Sequence, residues 1–154
     1  MKSSSGFLSR HGLYLAWFVS LVATAGSLYL SEVLKYEPCK LCWFQRIFMY
    51  PQVLLLGIAT YRNDKRIVPY VLPLSVIGGS ISLYHYAEQK IPALGKVLPC
   101  TIGVPCTKDY LNFFGFITIP LLALTAFILI ALMLWNARAR EEEETEEAED
   151  GNNS

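Results

Sequence analysis

The four cysteines of this 154-residue chain are its most reactive side chains, and they form two pairs. Cys39 and Cys42 make a Cys-x-x-Cys motif directly before an apolar segment, while Cys100 and Cys106 lie in a segment that contains glycine and proline. A Cys-x-x-Cys motif serves as half of a zinc site, as a structural disulfide or as a redox pair. The two-residue spacing is typical of thiol–disulfide oxidoreductases, which favours the redox interpretation.

A basic residue lies one helical turn beyond the second cysteine of the motif. Arg46 follows Cys42 by four residues, so both side chains lie on one face if this segment is a helix. Pro38 precedes the motif, which predicts that Cys42 lies near a helix N-terminus, where the helix dipole stabilises a thiolate. A cation at Arg46 would stabilise it further; the alternative is an interfacial arginine that reaches lipid head groups.

The elements that must position these residues are predicted to be membrane-spanning helices. Residues 13–31, 67–87 and 110–137 carry no Asp, Glu, Lys or Arg, and each is long enough to cross a bilayer core of about 30 Å. Residues 47–61 reach that length when the segment is extended past Arg46 to Trp43. We therefore predict an all-α integral membrane protein with a four-transmembrane-helix bundle. The predicted helices cover about residues 12–31, 43–61, 67–87 and 112–136.

The start of the first apolar segment has a second interpretation. Ala23-Thr24-Ala25 resembles a signal-peptidase site and basic residues precede it, as in a cleaved signal peptide. The apolar run continues beyond this site to Leu30, which is long enough for a span, so we expect an uncleaved helix.

The charges are distributed unevenly along the chain. The total of 13 basic and 13 acidic residues gives a net charge of zero, but eight of the acidic residues lie in residues 141–150, which leaves a basic, very apolar body. Such a body argues against a soluble domain, a disordered chain or a small secreted disulfide scaffold. We predict a membrane domain over residues 1–138 and a disordered acidic tail over residues 139–154.

The arginines predict the orientation of the chain in the membrane. Five of the six lie on the side of the two termini, and the sixth is Arg46. By the positive-inside rule, both termini are cytoplasmic. Two extracytoplasmic loops, residues 32–44 and 88–112, then contain all four cysteines, on the side where disulfides persist.

Two cysteine pairs in facing loops predict a path for electrons. The pairs can exchange through an inter-loop disulfide, so electrons from a soluble partner would pass through Cys100 and Cys106 to Cys39 and Cys42. The chain has only two histidines, too few for haem pairs, and no flavin motif. A membrane quinone is the expected acceptor, with no metal cofactor.

The motif that contains Cys39 and Arg46 resembles a family signature. The run Cys39-Lys-Leu-Cys42-Trp-Phe-Gln-Arg46 is similar to the Cys-x-Leu-Cys-x-x-x-Arg of the DsbB/BdbC family, which are thiol:quinone oxidoreductases that form disulfides. The resemblance covers about residues 10–136 and includes Phe113-Phe114-Gly115, similar to the opening of the family's fourth helix. The close spacing of Cys100 and Cys106 resembles the short-loop BdbC type.

The resemblance implies a role for each cysteine. Cys100 would be attacked by a reduced extracytoplasmic thioredoxin-fold oxidase of the DsbA/BdbD kind. Cys106 would resolve that mixed disulfide and couple to Cys39. Cys42 would form the thiolate next to the quinone, stabilised by Arg46.

The resemblance also implies the surroundings of the acceptor. His85 and Gln89 would lie around the head group of a ubiquinone or menaquinone, although a hydrogen-bonded interfacial histidine is the other interpretation of His85. We expect a monomer that belongs to an electron-transport chain, assists protein folding as a chaperone does, and binds no nucleic acid.

Two other kinds of protein remain as alternatives. A reductase of the vitamin K epoxide reductase type also has four helices and a Cys-x-x-Cys, but on its last helix, whereas here the motif precedes the second. A membrane scaffold with two structural disulfides would use the same cysteines without any redox reaction. A zinc site built from both pairs is disfavoured by the five-residue gap between Cys100 and Cys106.

Overall fold

The computed structural model describes residues 2–91, 93–94 and 117–152, with the side chains of residues 11–91 among them. The described part is helical and has four long helices and one short turn of 3-10 helix. Cys100 and Cys106, and the predicted helix opening at Phe113-Phe114-Gly115, lie outside the described residues. The elements are α1 (Lys2–Glu32), α2 (Lys40–Arg62), the 3-10 turn (Lys65–Ile67), α3 (Val68–Lys90) and α4 (Ile119–Asn152).

Within the described residues, four segments are long and apolar enough to cross a membrane, which confirms the predicted four-helix architecture. They are His11–Glu32, Lys40–Arg62, Lys65–Lys90 and Ile119–Ala139. Large apolar side chains such as Leu54, Tyr70 and Trp135 point away from the bundle and are mostly exposed. An apolar outer surface of this extent is unfavourable in water and suits contact with lipid. The protein is therefore a multi-pass membrane protein.

Local chemistry explains the helix ends near the site. α2 starts three residues earlier than predicted, because Cys39 occupies the N-cap with extended backbone angles and its carbonyl accepts a hydrogen bond from the Trp43 amide (3.1 Å). α2 ends at Arg62, and the next residue, Asn63, terminates the helix in a left-handed conformation with a positive φ of 51°. α4 starts at Ile119, later than the predicted residue 112, and Pro120 occupies its first turn, where proline is tolerated.

The C-terminal segment differs from its prediction as a disordered tail. α4 continues to Asn152, so the acidic residues of the tail are part of a helix that began as a membrane span. Glutamate and alanine are good helix formers, and extending an existing helix avoids the cost of nucleation. Arg138 Nε and Glu142 Oε1, one turn apart, form an ion pair at 3.2 Å across the junction between the two parts.

The four spans pack as a ring, and each helix contacts its two neighbours. α1 lies against α2 and α4, and α3 lies against α2 and α4, whereas α2 and α4 barely touch across the middle. Small residues allow close approach: Gly57 lies against Trp17, and Gly78 lies directly against the ring of Phe127. Ser75 and Ser82 are buried, whereas the hydroxyl of the exposed Ser80 donates a hydrogen bond to the Val76 carbonyl of its own helix.

A methyl group at position 78 is expected to destabilise the bundle. The Cβ of Gly78→Ala would overlap the ring of Phe127, which is 1% exposed, so the ring or the helix backbone would have to shift. Overpacking of this kind costs about 1–3 kcal/mol, so the thermal midpoint in detergent micelles should fall. Gly79→Ala is the matched control, because its Cβ would meet Phe127 at an ordinary 3.5 Å. Equal midpoints for the two variants would contradict the packing described for Gly78.

Candidate active site

The Cys-x-x-Cys motif lies at the start of α2 with both thiols reduced. The Cys39 and Cys42 sulfur atoms are 3.3 Å apart, a hydrogen-bonding distance and far longer than a disulfide bond. Cys39 is the N-cap residue and is buried, while Cys42 lies in the first turn and is partly accessible. Both thiols therefore lie at the positive end of the α2 dipole, where a thiolate is stabilised.

A histidine from α3 completes the surroundings of the first thiol. His85 Nε2 lies 3.6 Å from the Cys39 sulfur, which joins the start of α2 to the end of α3. On the other side of the ring, His85 Nδ1 lies 3.0 Å from Gln45 Nε2. His85 is 1% exposed and Gln45 is 6% exposed, so little water reaches either hydrogen bond.

These contacts lower the pKa of the Cys39 thiol well below its ordinary value. The largest cause is the hydrogen bond with Cys42, and the contact with His85 adds to it, while burial of the thiol opposes both. The electrostatics thus favour a thiolate at Cys39, whereas the resemblance implies one at Cys42. A Cys39 thiolate belongs to the reduced pair, in which both thiols are present. A Cys42 thiolate would belong to the stage at which Cys39 is coupled to Cys106.

Arg46 is held by the first helix. Its Nε donates a hydrogen bond to the hydroxyl of Ser27 at 3.0 Å, and a terminal nitrogen donates to the Ser27 carbonyl oxygen at 3.2 Å. Its guanidinium also lies 5.7 Å from the centre of the Trp43 ring, within the range of a cation–π contact. These partners fix the cation at the same end of the bundle as the thiols.

A cavity of about 500 Å³ opens beside the motif, between α1, α2 and α4. Its walls are mostly apolar, with Phe18 and Val22 from α1 and Leu122 and Phe127 from α4. Polar groups converge at one end of it. That end is formed by Cys39, Cys42, Gln45, Arg46, His85 and Gln89. An apolar cavity with a few convergent polar groups is the usual form of a small-molecule site.

The predicted site residues of the described part meet at this cavity. Cys39, Cys42, Arg46, His85 and Gln89 all line it, while Cys100 and Cys106 lie outside the described residues.

Three participating residues were missed by the sequence reasoning. Gln45 lies inside the motif, but no role of its own was predicted for it. Ser27 has no signal, because a serine in an apolar span is ordinary. Glu88 is 2% exposed one turn beyond His85, and among the described residues its Oε2 has no hydrogen-bond partner. A lone acidic residue at the end of a span was the available signal for Glu88.

Two thiols and an imidazole also form a set of metal donors. The donor atoms of Cys39, Cys42 and His85 all lie within 4.8 Å of one another. Sulfur and imidazole nitrogen are the ligands that zinc prefers, but a closed structural zinc site has four protein ligands. The described residues supply three.

Together, the four spans and the reduced thiol pair at a membrane-embedded cavity define a membrane thiol oxidoreductase. Comparison with known proteins gives its family: residues 9–137 match disulfide bond formation protein DsbB, and the chain belongs to that family. Its general role is therefore the formation of disulfide bonds.

Similar proteins come from several bacteria. Disulfide bond formation protein C of Bacillus subtilis is 57% identical over 122 residues, which cover 79% of this chain and 88% of that protein. A probable disulfide formation protein of Coxiella burnetii is 44% identical over 131 residues, 84% of this chain and 89% of that protein. No solved structure matches the chain.

The lowered pKa predicts how the reduced site reacts with an alkylating reagent. Because the pKa of Cys39 lies below that of an ordinary thiol, its thiolate persists as the pH falls and is lost only near the lowered value. Iodoacetamide should therefore modify Cys39 in mildly acidic solution, where ordinary thiols are unreactive. Trypsin cleaves after Lys40 and separates the two cysteines, so mass spectrometry can follow each one. An ordinary alkaline titration of Cys39 would contradict the described electrostatics.

Proposed function

We propose that this protein is a thiol:quinone oxidoreductase that reoxidises an extracytoplasmic thioredoxin-fold thiol oxidase. Electrons from the partner enter at Cys100 and Cys106, pass to Cys39 and Cys42, and leave to a membrane quinone. The observation that carries the proposal is the cavity beside the reduced pair, where Cys42, Arg46, His85 and Gln89 converge.

The residues of the cavity fit a quinone. The volume of about 500 Å³ lies within the range of small-molecule sites, and the apolar walls suit a ring with a hydrocarbon tail. A quinone ring carries two carbonyl oxygens that need hydrogen-bond donors, and the Arg46 guanidinium and the Gln89 amide can supply them. When bound, a quinone supplies the sink for two electrons and two protons. Ubiquinone and menaquinone share the features that this argument uses.

The chain's own residues account for the delivery of those electrons. Cys42 is the more accessible thiol of the pair and lines the cavity, so it is the sulfur that faces the acceptor. Arg46, held by Ser27, places a fixed positive charge at the same cavity and favours negative charge on Cys42 or on a carbonyl oxygen. When Cys39 and Cys42 join in a disulfide, their two electrons are released.

The proposed location is a bacterial plasma membrane with both termini in the cytoplasm. The arginine distribution supports this orientation, since Arg62, Arg66 and Arg138 flank spans at the end opposite the cysteine motif. The site then faces the oxidising side, where a folded dithiol partner reaches it. We propose that a monomer suffices, because the cavity is built from the helices of one chain.

Replacing Arg46 should slow quinone reduction and leave the bundle folded. Arg46→Ala removes a fixed charge at the cavity, and the loss of one such group costs on the order of 100-fold in rate. Arg46→Lys should fall between, since it keeps the charge but loses the forked contact with Ser27. The measurement is quinol formation with a reduced thioredoxin-like dithiol, with thermal unfolding as the test of folding. Arg66→Ala, an exposed charge at the other end, is the control; wild-type turnover in Arg46→Ala would refute this role.

Serine variants should separate the two half-reactions. Cys42→Ser is expected to abolish quinone reduction, because the acceptor loses its electron donor. Cys100→Ser should abolish mixed-disulfide formation with the partner dithiol. The experiment is quinone-dependent oxidation of that dithiol by purified protein, with each cysteine replaced in turn. Unaffected partner oxidation in both variants would leave only structural disulfides.

A zinc site is a second candidate, and the compact set of Cys39, Cys42 and His85 donors favours it. The same experiment distinguishes the two functions. A redox pair keeps its rate when a chelator is added, and its thiols disappear on addition of quinone. A structural zinc site would release one equivalent of metal to the chelator and show no response to quinone.

A further inference from the structure

We propose that Gln45 is a positioning residue that holds His85 in the tautomer with its proton on Nε2 and so directs that N–H group at the Cys39 sulfur. In this arrangement His85 is a hydrogen-bond donor to the thiol pair and not only a contact of the quinone.

The geometry follows one chain of hydrogen bonds. A neutral imidazole has one donor nitrogen and one acceptor nitrogen, and the partner of one nitrogen determines the role of the other. The Gln45 amide nitrogen carries only hydrogens to donate, and it lies 3.0 Å from His85 Nδ1. Nδ1 is then the acceptor, which leaves the proton on Nε2, 3.6 Å from the Cys39 sulfur.

Burial makes this arrangement effective. Gln45 and His85 are almost completely shielded, so water cannot readily replace the amide or supply a proton to Nδ1. A buried N–H that points at a sulfur stabilises the thiolate more than the neutral thiol, because a hydrogen bond to the charged form is the stronger one.

Other titratable groups surround this pair and contribute to the same electrostatics. The described stretches of α1 and α4 that line the cavity carry no ionisable side chain. The groups that face the pair come from α2, α3 and the segment before α2. They are Cys42, Arg46, Tyr50, Glu88, Tyr36 and Glu37.

The consequence for electron transfer rests on the proposed function. When the Cys100 thiolate attacks the Cys106 sulfur of a Cys106–Cys39 disulfide, the Cys100–Cys106 bond forms and Cys39 leaves with the bonding electron pair. The His85 Nε2–H group stabilises that leaving thiolate, and a better-stabilised leaving thiolate departs faster. Gln45 thus acts, through His85, on the step that releases the Cys39 thiolate from its disulfide with Cys106.

Alkylation of Cys39 tests the proposal without any quinone. The protein is reduced full-length chain in detergent with Cys100→Ser and Cys106→Ser, and the Cys39 peptide is followed across pH after trypsin cleavage at Lys40. Gln45→Met, similar in size but unable to donate, should move the Cys39 midpoint upward by about one pH unit. An unchanged midpoint would overturn the proposal.

Gln52→Met is the matched control for loss of a buried amide. Gln52 lies two turns further along α2, is fully buried, donates to the Phe48 carbonyl and accepts from Ser75 of α3. Gln52→Met should leave the Cys39 midpoint unchanged, whatever its effect on the stability of the bundle. His85→Ala should raise the midpoint by itself, and adding Gln45→Met should raise it no further. An additional shift in the double variant, or an equal shift in Gln52→Met, would show a merely structural effect and refute the role of Gln45.

The tautomer is measurable in the protein with no substitution in the site. The chain has only two histidines, so nitrogen-15 labelling of histidine gives two ring systems, and His11→Gln assigns them. In its neutral form, the His85 imidazole should carry its proton on Nε2. A proton on Nδ1 would overturn the proposal directly. Failure of quinone turnover with the expected tautomer would instead contradict the proposed function and leave this assignment standing.

Discussion

The contact between the Cys39 sulfur and His85 Nε2 is the interaction on which the rest of the site depends. It joins the first residue before α2 to the last turns of α3, 46 residues apart in the chain. A negative sulfur at the edge of a bilayer is costly unless a donor faces it, because lipid supplies none. The hydrogen bond with Cys42 supplies the largest part of that stabilisation, and the imidazole and the N-terminus of α2 add to it. The cavity beside the pair can therefore be apolar without making a thiolate unfavourable.

The interface between α2 and α3 contains two buried hydrogen bonds of the same kind. Gln45 and Gln52 are seven residues apart, two helical turns, and so lie on one face of α2. Each buried amide reaches a polar side chain of the antiparallel α3, His85 in one case and Ser75 in the other. The Gln52 pair fixes the register of the two helices in the middle of the bundle. The Gln45 pair then brings the imidazole to the thiols at the end.

The sequence predicts much of this arrangement because its signals are local. Uncharged segments predict the spans, and the Cys-x-x-Cys spacing with Arg46 one turn on predicts a reactive thiol beside a cation. Contacts between helices have no such signal. That Ser27 would hold Arg46, or that Gln45 would face His85 rather than lipid, depends on the rotation of each helix about its axis. The helical tail was missed for another reason: a run of like charges predicts repulsion, whereas the preceding span had already provided the helix nucleus.

The fourth helix continues beyond the membrane span as a stiff, negatively charged helical extension. Residues 140–152 extend about 20 Å along the helix axis beyond the end of the span. Anionic lipid head groups repel its net negative charge, so the extension favours a direction away from the membrane surface. If two copies met through α4, the negative charges of their extensions would repel each other, most strongly within a Debye length of about 8 Å. A segment without any reactive residue can thereby influence how closely these proteins approach each other in the membrane.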